Sequence, residues 1–195
     1  CKLQNVCMEE IMIVTGSSKK IEEYGRYLGS EHANISVSKL DIDIPEIQSI
    51  DSQEIILSKV DAVSKVVSGP FLVDDVSFYT DRYPNFPGAY AKFTNNTLGV
   101  DGWSRLCEEG DKISAVATLG FYRFGKVDFF NGKIDGVISF DDKIPVDTVS
   151  PIDSTFYLPE YNNYLFNLVK SNDFKNHRRL AFEAFLFHVI DVASC

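Results

Sequence analysis

Four clusters of side chains have types and spacing that could do chemistry. The first is Thr15-Gly16-Ser17-Ser18-Lys19-Lys20, which follows an apolar run and precedes a helical pattern. Peptide N–H groups exposed at such a turn, with the positive end of the helix dipole, could hold a negative group while a lysine adds a full charge. The glycine spacing differs from G-x-x-x-x-G-K-[ST], so the turn is not a Walker loop, and a capped helix start is the bland reading of the same residues. The second segment set comprises Glu46, in Pro45-Glu46-Ile47-Gln48, and the pair Asp74-Asp75. These three carboxylates lie in polar breaks beside apolar segments, and Mg²⁺ takes such oxygens together with water and substrate phosphate. If the strand that leads into the pair persists through Asp75, the two-residue period sends the two acids to opposite faces. At most one then touches a metal directly. Solvated turn acids are the duller account.

The third segment, Pro87-Gly88-Ala89-Tyr90-Ala91-Lys92-Phe93, puts Lys92 beside a glycine and two aromatic residues. It could offer a cation to phosphate and rings to a base, or be a packed loop. The fourth, Asn176-His177-Arg178-Arg179, opens a helical pattern. There the imidazole and guanidinium donors could reach the oxygen and ring-nitrogen acceptors of a purine. Cations at a helix N-terminus oppose the dipole, so this placement speaks for use rather than for stability.

The elements that must position these groups are legible by periodicity. Ile11-Met12-Ile13-Val14 reads as a buried strand, and Ile21, Tyr24, Tyr27 and Leu28 fall on one face of a helix stopped by Gly29. Ile35, Val37 and Leu40 mark a second strand, and Asp41 to Gln48 a polar loop. Asp51 and Glu54 have the spacing of a capping box ahead of a stripe of Ile56, Val60, Val63 and Val67, ended by Gly69-Pro70. Phe71-Leu72-Val73 predicts a strand running into Asp74-Asp75, and Tyr79 to Asn96 a long loop before a short helix around Trp103-Leu106. Residues 115–124, 127–130 and 134–140 read as three β runs of a meander, with Asn131-Gly132 as a hairpin turn. Asp141 to Asn163 reads as irregular. A final helix is expected from about Arg178 to Val192, with Ala181, Ala184, Phe185 and His188 on one face. Strand–helix alternation followed by antiparallel strands implies one α/β domain over residues 1–195, a mixed sheet flanked by helices with two lobes around a central cleft.

Composition narrows the function classes. The chain has 195 residues, 45% hydrophobic and 24% charged, enough apolar mass for a sizeable core. A net charge of −9 argues against a broad face for nucleic acid polymers, which requires many Lys and Arg contacts, but leaves room for a small anion in a local basic pocket. No run approaches the roughly 18 apolar residues of a membrane span, and the polar start Cys1-Lys2-Leu3-Gln4-Asn5 lacks the pattern of a secretory signal. Cys1, Cys7, Cys107 and Cys195 form no C-x-x-C pair, so free thiols in a reducing cytoplasm are expected.

Separately these signals are weak; their order is informative. The chain resembles the inosine triphosphate pyrophosphatase, or Ham1, family over nearly its whole length. The resemblance rests on Val14-Thr15-Gly16-Ser17-Ser18-Lys19-Lys20-Ile21-Glu22-Glu23 against the family's T-G-N-x-x-K-x-x-E, and on Asp43-Ile44-Pro45-Glu46-Ile47-Gln48. It continues through Ile56-Leu57-Ser58-Lys59, Gly69-Pro70-Phe71-Leu72-Val73-Asp74-Asp75, Phe86 to Phe93, Asn131 to Ile138 and Asn176-His177-Arg178. The resemblance implies an elongated mixed α/β fold, a homodimer, and hydrolysis of ITP, XTP or dITP to the monophosphate and pyrophosphate with Mg²⁺, Mn²⁺ being an alternative ion. It implies that Glu46 and Asp75 hold the metal and help activate water, with the neighbouring Asp74 a further metal candidate. It also implies that Lys19, Lys59 and Lys92 grip phosphates beside the Thr15-Gly16-Ser17 turn, and that Asp153, His177 and Arg178 lie at the base. Three positions depart from the pattern: Ser17 replaces an asparagine, Ser150-Pro151-Ile152-Asp153-Ser154-Thr155-Phe156 stands for F-G-W-D-P-x-F, and Asn172 falls where the family has a lysine. The alternatives are the same enzyme with another base preference, or a nucleotide-binding protein without turnover.

Overall fold

The computed structural model describes residues 11–28, 35–39, 47–141 and 149–193. Strand β1 (Ile11–Thr15) lies between β2 (Ile35–Lys39) and β3 (Phe71–Thr80) and is parallel to both. Strands β5 (Lys112–Arg123), β6 (Lys126–Ile138), β7 (Phe156–Leu158) and β8 (Asn163–Tyr164) extend the sheet antiparallel in the order β2-β1-β3-β5-β6-β7-β8. The short β4 (Pro87–Gly88) pairs with the far end of β3. The architecture is α/β with a mixed sheet, as the alternation of patterns implies.

Strand parity assigns the helices to faces. Ile11, Ile13, Leu72, Leu119 and Phe121 point to the side covered by α1 (Ser18–Leu28) and α6 (His177–Ala193), where they meet Tyr24, Leu28, Phe182 and Phe185. Val14, Phe71 and Val73 point to the other side, against Ile56, Val60 and Val63 of α2 (Ser52–Ser64). A further core forms toward the distal end of the sheet, where Phe78, Ile113, Ala115 and Ile138 pack with Trp103 of α3 (Ala91–Leu106), Ile152 of α4 (Pro151–Thr155) and Leu165 of α5 (Leu165–Leu168). Val76 of β3 touches both cores of the α6 side, and β5 and β6 also run from one to the other.

Several local expectations give way to tertiary contacts. Asn131-Gly132 is no hairpin: β6 runs straight through it, and the runs read as three strands are two. A Cβ on Gly132 would collide with the His177 carbonyl and the Ala181 backbone nitrogen, so this glycine serves the close approach of α6 to the sheet rather than a turn. Asp51 does cap α2, accepting from Gln53 N at 2.8 Å, but Glu54 accepts from the Ser49 hydroxyl instead of completing a reciprocal box. Asp74-Asp75 is interior to the ten-residue β3 rather than at a strand end. The helix expected only around Trp103 begins at Ala91 and is interrupted at Gly99, whose φ of 60° and ψ of −169° break the helical path. Within the stretch read as irregular, Ser150 caps α4 through Asp153 N, and β7 and β8 follow. On α6 Phe182, not Ala184, is buried beside Ala181 and Phe185. The Asp41–Gln48 loop lies outside the described residues up to position 46, as do Gly29 and Leu40.

The glycines offer a test with opposite signs. Gly132→Ala is expected to lower stability by about 2–3 kcal/mol through overpacking against α6 backbone. Gly25→Ala, inside α1 with open space around the added Cβ, should raise it by about 0.5–1 kcal/mol. Urea denaturation of the two variants checks both.

Candidate functional site

The site is built where β1 ends. Beyond Thr15 the chain leaves the sheet through Gly16 and enters α1, while β3 continues past this point, leaving Asp74 and Asp75 beside the turn. Carboxyl ends of parallel strands are where open α/β sheets present ligands, because loops and helix N-termini converge there. The Thr15 hydroxyl accepts from Ser17 N at 3.1 Å, shaping the turn, and Ile21 N donates to the Ser17 carbonyl to start the helix.

The two acids face opposite sides, as strand period requires. Asp74, almost fully buried, turns toward α1 and α6: Lys20 Nζ donates to its Oδ1 at 2.9 Å and Arg178 Nε to its Oδ2 at 3.1 Å. Arg178 also pairs through Nη1 with Glu23 of α1. Two cations and two carboxylates thus balance one another across three elements. Asp75 turns toward α2, where Lys59 Nζ donates to its Oδ1 at 3.0 Å and to the Asp74 carbonyl at 3.1 Å. Lys59 is only 7% exposed, on the same stripe as Ile56, Val60 and Val63, and lysines are rarely buried without a charged partner. The other carboxylate oxygen, Asp75 Oδ2, is buried with no hydrogen-bond donor among the described residues.

That orphaned acceptor is the feature that fits a cation, since an unpaired buried carboxylate oxygen is costly unless a donor or a metal reaches it. Among the described residues no group of three acidic, histidine or cysteine side chains gathers as a ready ligand set. Asp74 cannot share such a set with Asp75 from the opposite face, with both of its oxygens engaged; the early grouping of Asp74 with the metal ligands gives way to an ion-pair role. Glu46 lies outside the described residues.

Burial sets the titration of the cluster. Burial lowers Lys20, offset in part by Asp74 and reinforced by Arg178 and Lys59, so these cations sit close enough to repel one another. Burial brings Arg178 down to about 10. It brings His177 from 6.5 to about 4, leaving a neutral imidazole at neutral pH, with its Nδ1 buried and without a partner among the described residues. The ring stands edge-on to Phe78 at 6.1 Å. Burial also raises Tyr24 well above the ordinary phenol range, with Asp74 adding to the effect.

The remaining expected residues are less closely tied. Lys19 is exposed; the inward position belongs to Lys20, which sequence reasoning passed over, although the spacing T-G-N-x-x-K counted from Thr15 lands on residue 20. Lys19 does lie within electrostatic range of Asp153, whose carboxyl is raised by burial and accepts from the Ser150 hydroxyl at 2.8 Å. Lys92 is exposed on the first turn of α3, and no hydrogen bond or ion pair among the described residues joins it to the cluster. Ile152, standing where the related pattern has a tryptophan, is fully buried in the distal core, its N–H held by Asn95 Oδ1 at 3.1 Å. Cys107 is buried, with its thiol pushed up to about 12 by burial, and is no nucleophile. No helix of the described residues is long and apolar enough to cross a membrane.

The turn after β1, the inward lysines and the half-satisfied carboxylate lie together at one end of the parallel strands of an α/β sheet. The Ham1 family profile matches residues 11–188, and the chain belongs to the Ham1 family. The inosine triphosphate pyrophosphatase of Schizosaccharomyces pombe is 32% identical over 135 residues, 67% of this chain and 70% of the relative. The dITP/XTP pyrophosphatase of Thermococcus kodakarensis is 28% identical over 130 residues, 66% of this chain and 70% of the relative. Among solved structures, a HAM1 protein from Coxiella burnetii superposes with a TM-score of 0.74 at 17% identity, covering 96% of this chain and all (100%) of that one. The Staphylococcus aureus Ham1 protein gives 0.65 at 18% identity, covering 91% and 98%.

Two outcomes test the electrostatics. Asp74→Asn removes the carboxylate from Lys20 and leaves Arg178 with Glu23 alone, and should cost about 3 kcal/mol in urea denaturation, whereas neutralising a metal ligand on a repulsive acidic cluster would stabilise. For His177 the unfolded chain binds the proton first, so its contribution is intact above pH 6.5 and is lost as pH falls toward 4. The wild-type melting temperature should therefore drop more steeply between pH 6.5 and 4 than that of His177→Gln.

Proposed function

We propose that this protein is a Mg²⁺-dependent nucleoside triphosphate pyrophosphatase that converts non-standard purine nucleotides, ITP, XTP or dITP, to the monophosphate and pyrophosphate. Family membership supports the reaction class, and the observation that carries the site is the unpartnered Asp75 Oδ2 beside buried Lys59 at the end of β1. When bound by Asp75 and Glu46, Mg²⁺ would supply charge neutralisation to the polyphosphate. The Thr15-Gly16-Ser17 turn and Lys20, with Lys19 and Lys59 nearby, would receive the phosphates. Attack of water on the α-phosphorus forms one P–O bond as the bond to the β-phosphate oxygen breaks, and charge grows on the leaving pyrophosphate. Fixed cations stabilise that charge more than the ground state. Asp75 would orient the water and take its proton. A neutral His177 and the Arg178 guanidinium offer donors to a 6-keto oxygen, which an exocyclic amino group, itself a donor, would not satisfy. A homodimer belongs to the same proposal and is supported by the resemblance alone.

One observation favours a second reading, the same chemistry with a different base preference: Ile152 stands in place of the tryptophan and Phe156 is fully buried in the core, so the segment matching F-G-W-D-P-x-F offers no ring to a base. A panel of triphosphates with Mg²⁺ separates the readings. Pyrophosphate release with ITP, XTP or dITP well above ATP and the pyrimidine triphosphates is the expected result; a preference for another base upholds the second reading, and binding without turnover would remove the enzyme assignment. Asp75→Asn should reduce turnover by roughly 10²–10⁴-fold with the fold retained. A rate like that of the unmodified protein would place the reacting centre elsewhere.

A further inference from the structure

Asn176, the buried residue ahead of α6, receives two hydrogen bonds on one side-chain oxygen. Arg179 N donates to Asn176 Oδ1 at 2.8 Å, which caps the helix, and the Tyr27 hydroxyl of α1 donates to the same atom at 3.1 Å. The Asn176 carbonyl accepts from Leu180 N at 3.0 Å, so the first turn of α6 is organised by this one residue. Tyr27 is itself held: its ring lies 6.0 Å from Tyr24 and 6.4 Å from Phe182, and the Arg179 guanidinium sits 5.9 Å above its face. Burial raises the phenol, which keeps the hydroxyl a donor.

The next two residues of the chain are His177 and Arg178. Arg178 has its own anchors in Asp74 and Glu23, but His177 Nδ1 has no hydrogen-bond partner among the described residues, so the direction of the imidazole is set by the backbone at the helix start together with its packing on Phe78. We propose that Tyr27 is a positioning residue for the base-reading end of the site: its hydroxyl holds the Asn176 cap, and through the cap it aims His177. Tyr27 acts without touching substrate. It also ties this end to the phosphate turn, because α1 begins at that turn and carries Lys20, Glu23 and Tyr27 along its length. The inference rests on the proposed reading that His177 meets the nucleobase.

Tyr27→Phe deletes the one donor and keeps the ring. Steady-state kinetics with ITP and ATP should show KM for ITP raised about 3–10-fold and the ITP-to-ATP ratio of kcat/KM reduced, with kcat for ITP within about twofold of wild type. Amide exchange at Arg179 and Leu180 should quicken. In an Asn176→Ala background, Tyr27→Phe should add nothing further, because the two share one hydrogen bond. An unchanged KM and ratio overturn the proposal, even if exchange quickens, since that result would mark a purely structural bond. If the unmodified protein turns over no triphosphate, the functional reading fails separately; the dissociation constant for ITP then takes the place of KM. An unchanged constant in Tyr27→Phe, or no binding at all, overturns the inference.

Discussion

The buried carboxylate of Asp74 is the constraint around which the rest is arranged. An ion inside the layer between sheet and helices carries a desolvation penalty that only close, well-directed partners offset. Lys20 supplies one and Arg178 the other, and Glu23 balances the second charge of the pair. These residues come from positions 20, 23, 74 and 178, so satisfying one acid draws together the first helix, the third strand and the last helix. The α1 and α6 N-terminal regions could not both sit over β3 in another register without leaving a charge unpaired.

Strand geometry then separates work between two neighbouring acids. Period-two alternation turns Asp74 into the α1 and α6 layer and Asp75 toward α2. One carboxylate is engaged by cations at both oxygens; the other has an oxygen with no hydrogen-bond donor among the described residues. Glycines make the layers thin enough for this to happen on both sides: Gly132 lets the α6 backbone approach the sheet, and Gly120 leaves room for Ile56 of α2, where an added Cβ would collide. Lys59 is carried in on the same helix as Ile56 and reaches Asp75 only because that helix lies so close.

An acidic chain can still gather cations locally. The net charge of −9 describes the whole chain, whereas Lys20, Lys59 and Arg178 meet Asp74, Asp75 and Glu23 at one strand end. Burial lowers the affinity of Lys20 for its proton, and the neighbouring Arg178 and Lys59 charges add to the effect.

Much of this was legible in residue order. The strand–turn–helix at Thr15, the N-cap at Asp51, the α2 stripe and the opposed faces of Asp74 and Asp75 follow from periods and local hydrogen bonding, which depend only on neighbours in the chain. The role of Gly132 and the partner of Lys20 did not follow, because each was decided by something distant in sequence, although the T-G-N-x-x-K spacing already points to Lys20 rather than Lys19. Gly132 answers to the backbone at 177 and 181, and Lys20 to a carboxylate 54 residues away. By itself the sequence determined which segments bring lysines and carboxylates to the strand ends and which elements carry them. Only the tertiary structure decided which acid the inward lysine meets, which acid is already paired and which carboxylate oxygen has no donor among the described residues, because those outcomes depend on burial and on partners that local propensity does not contain.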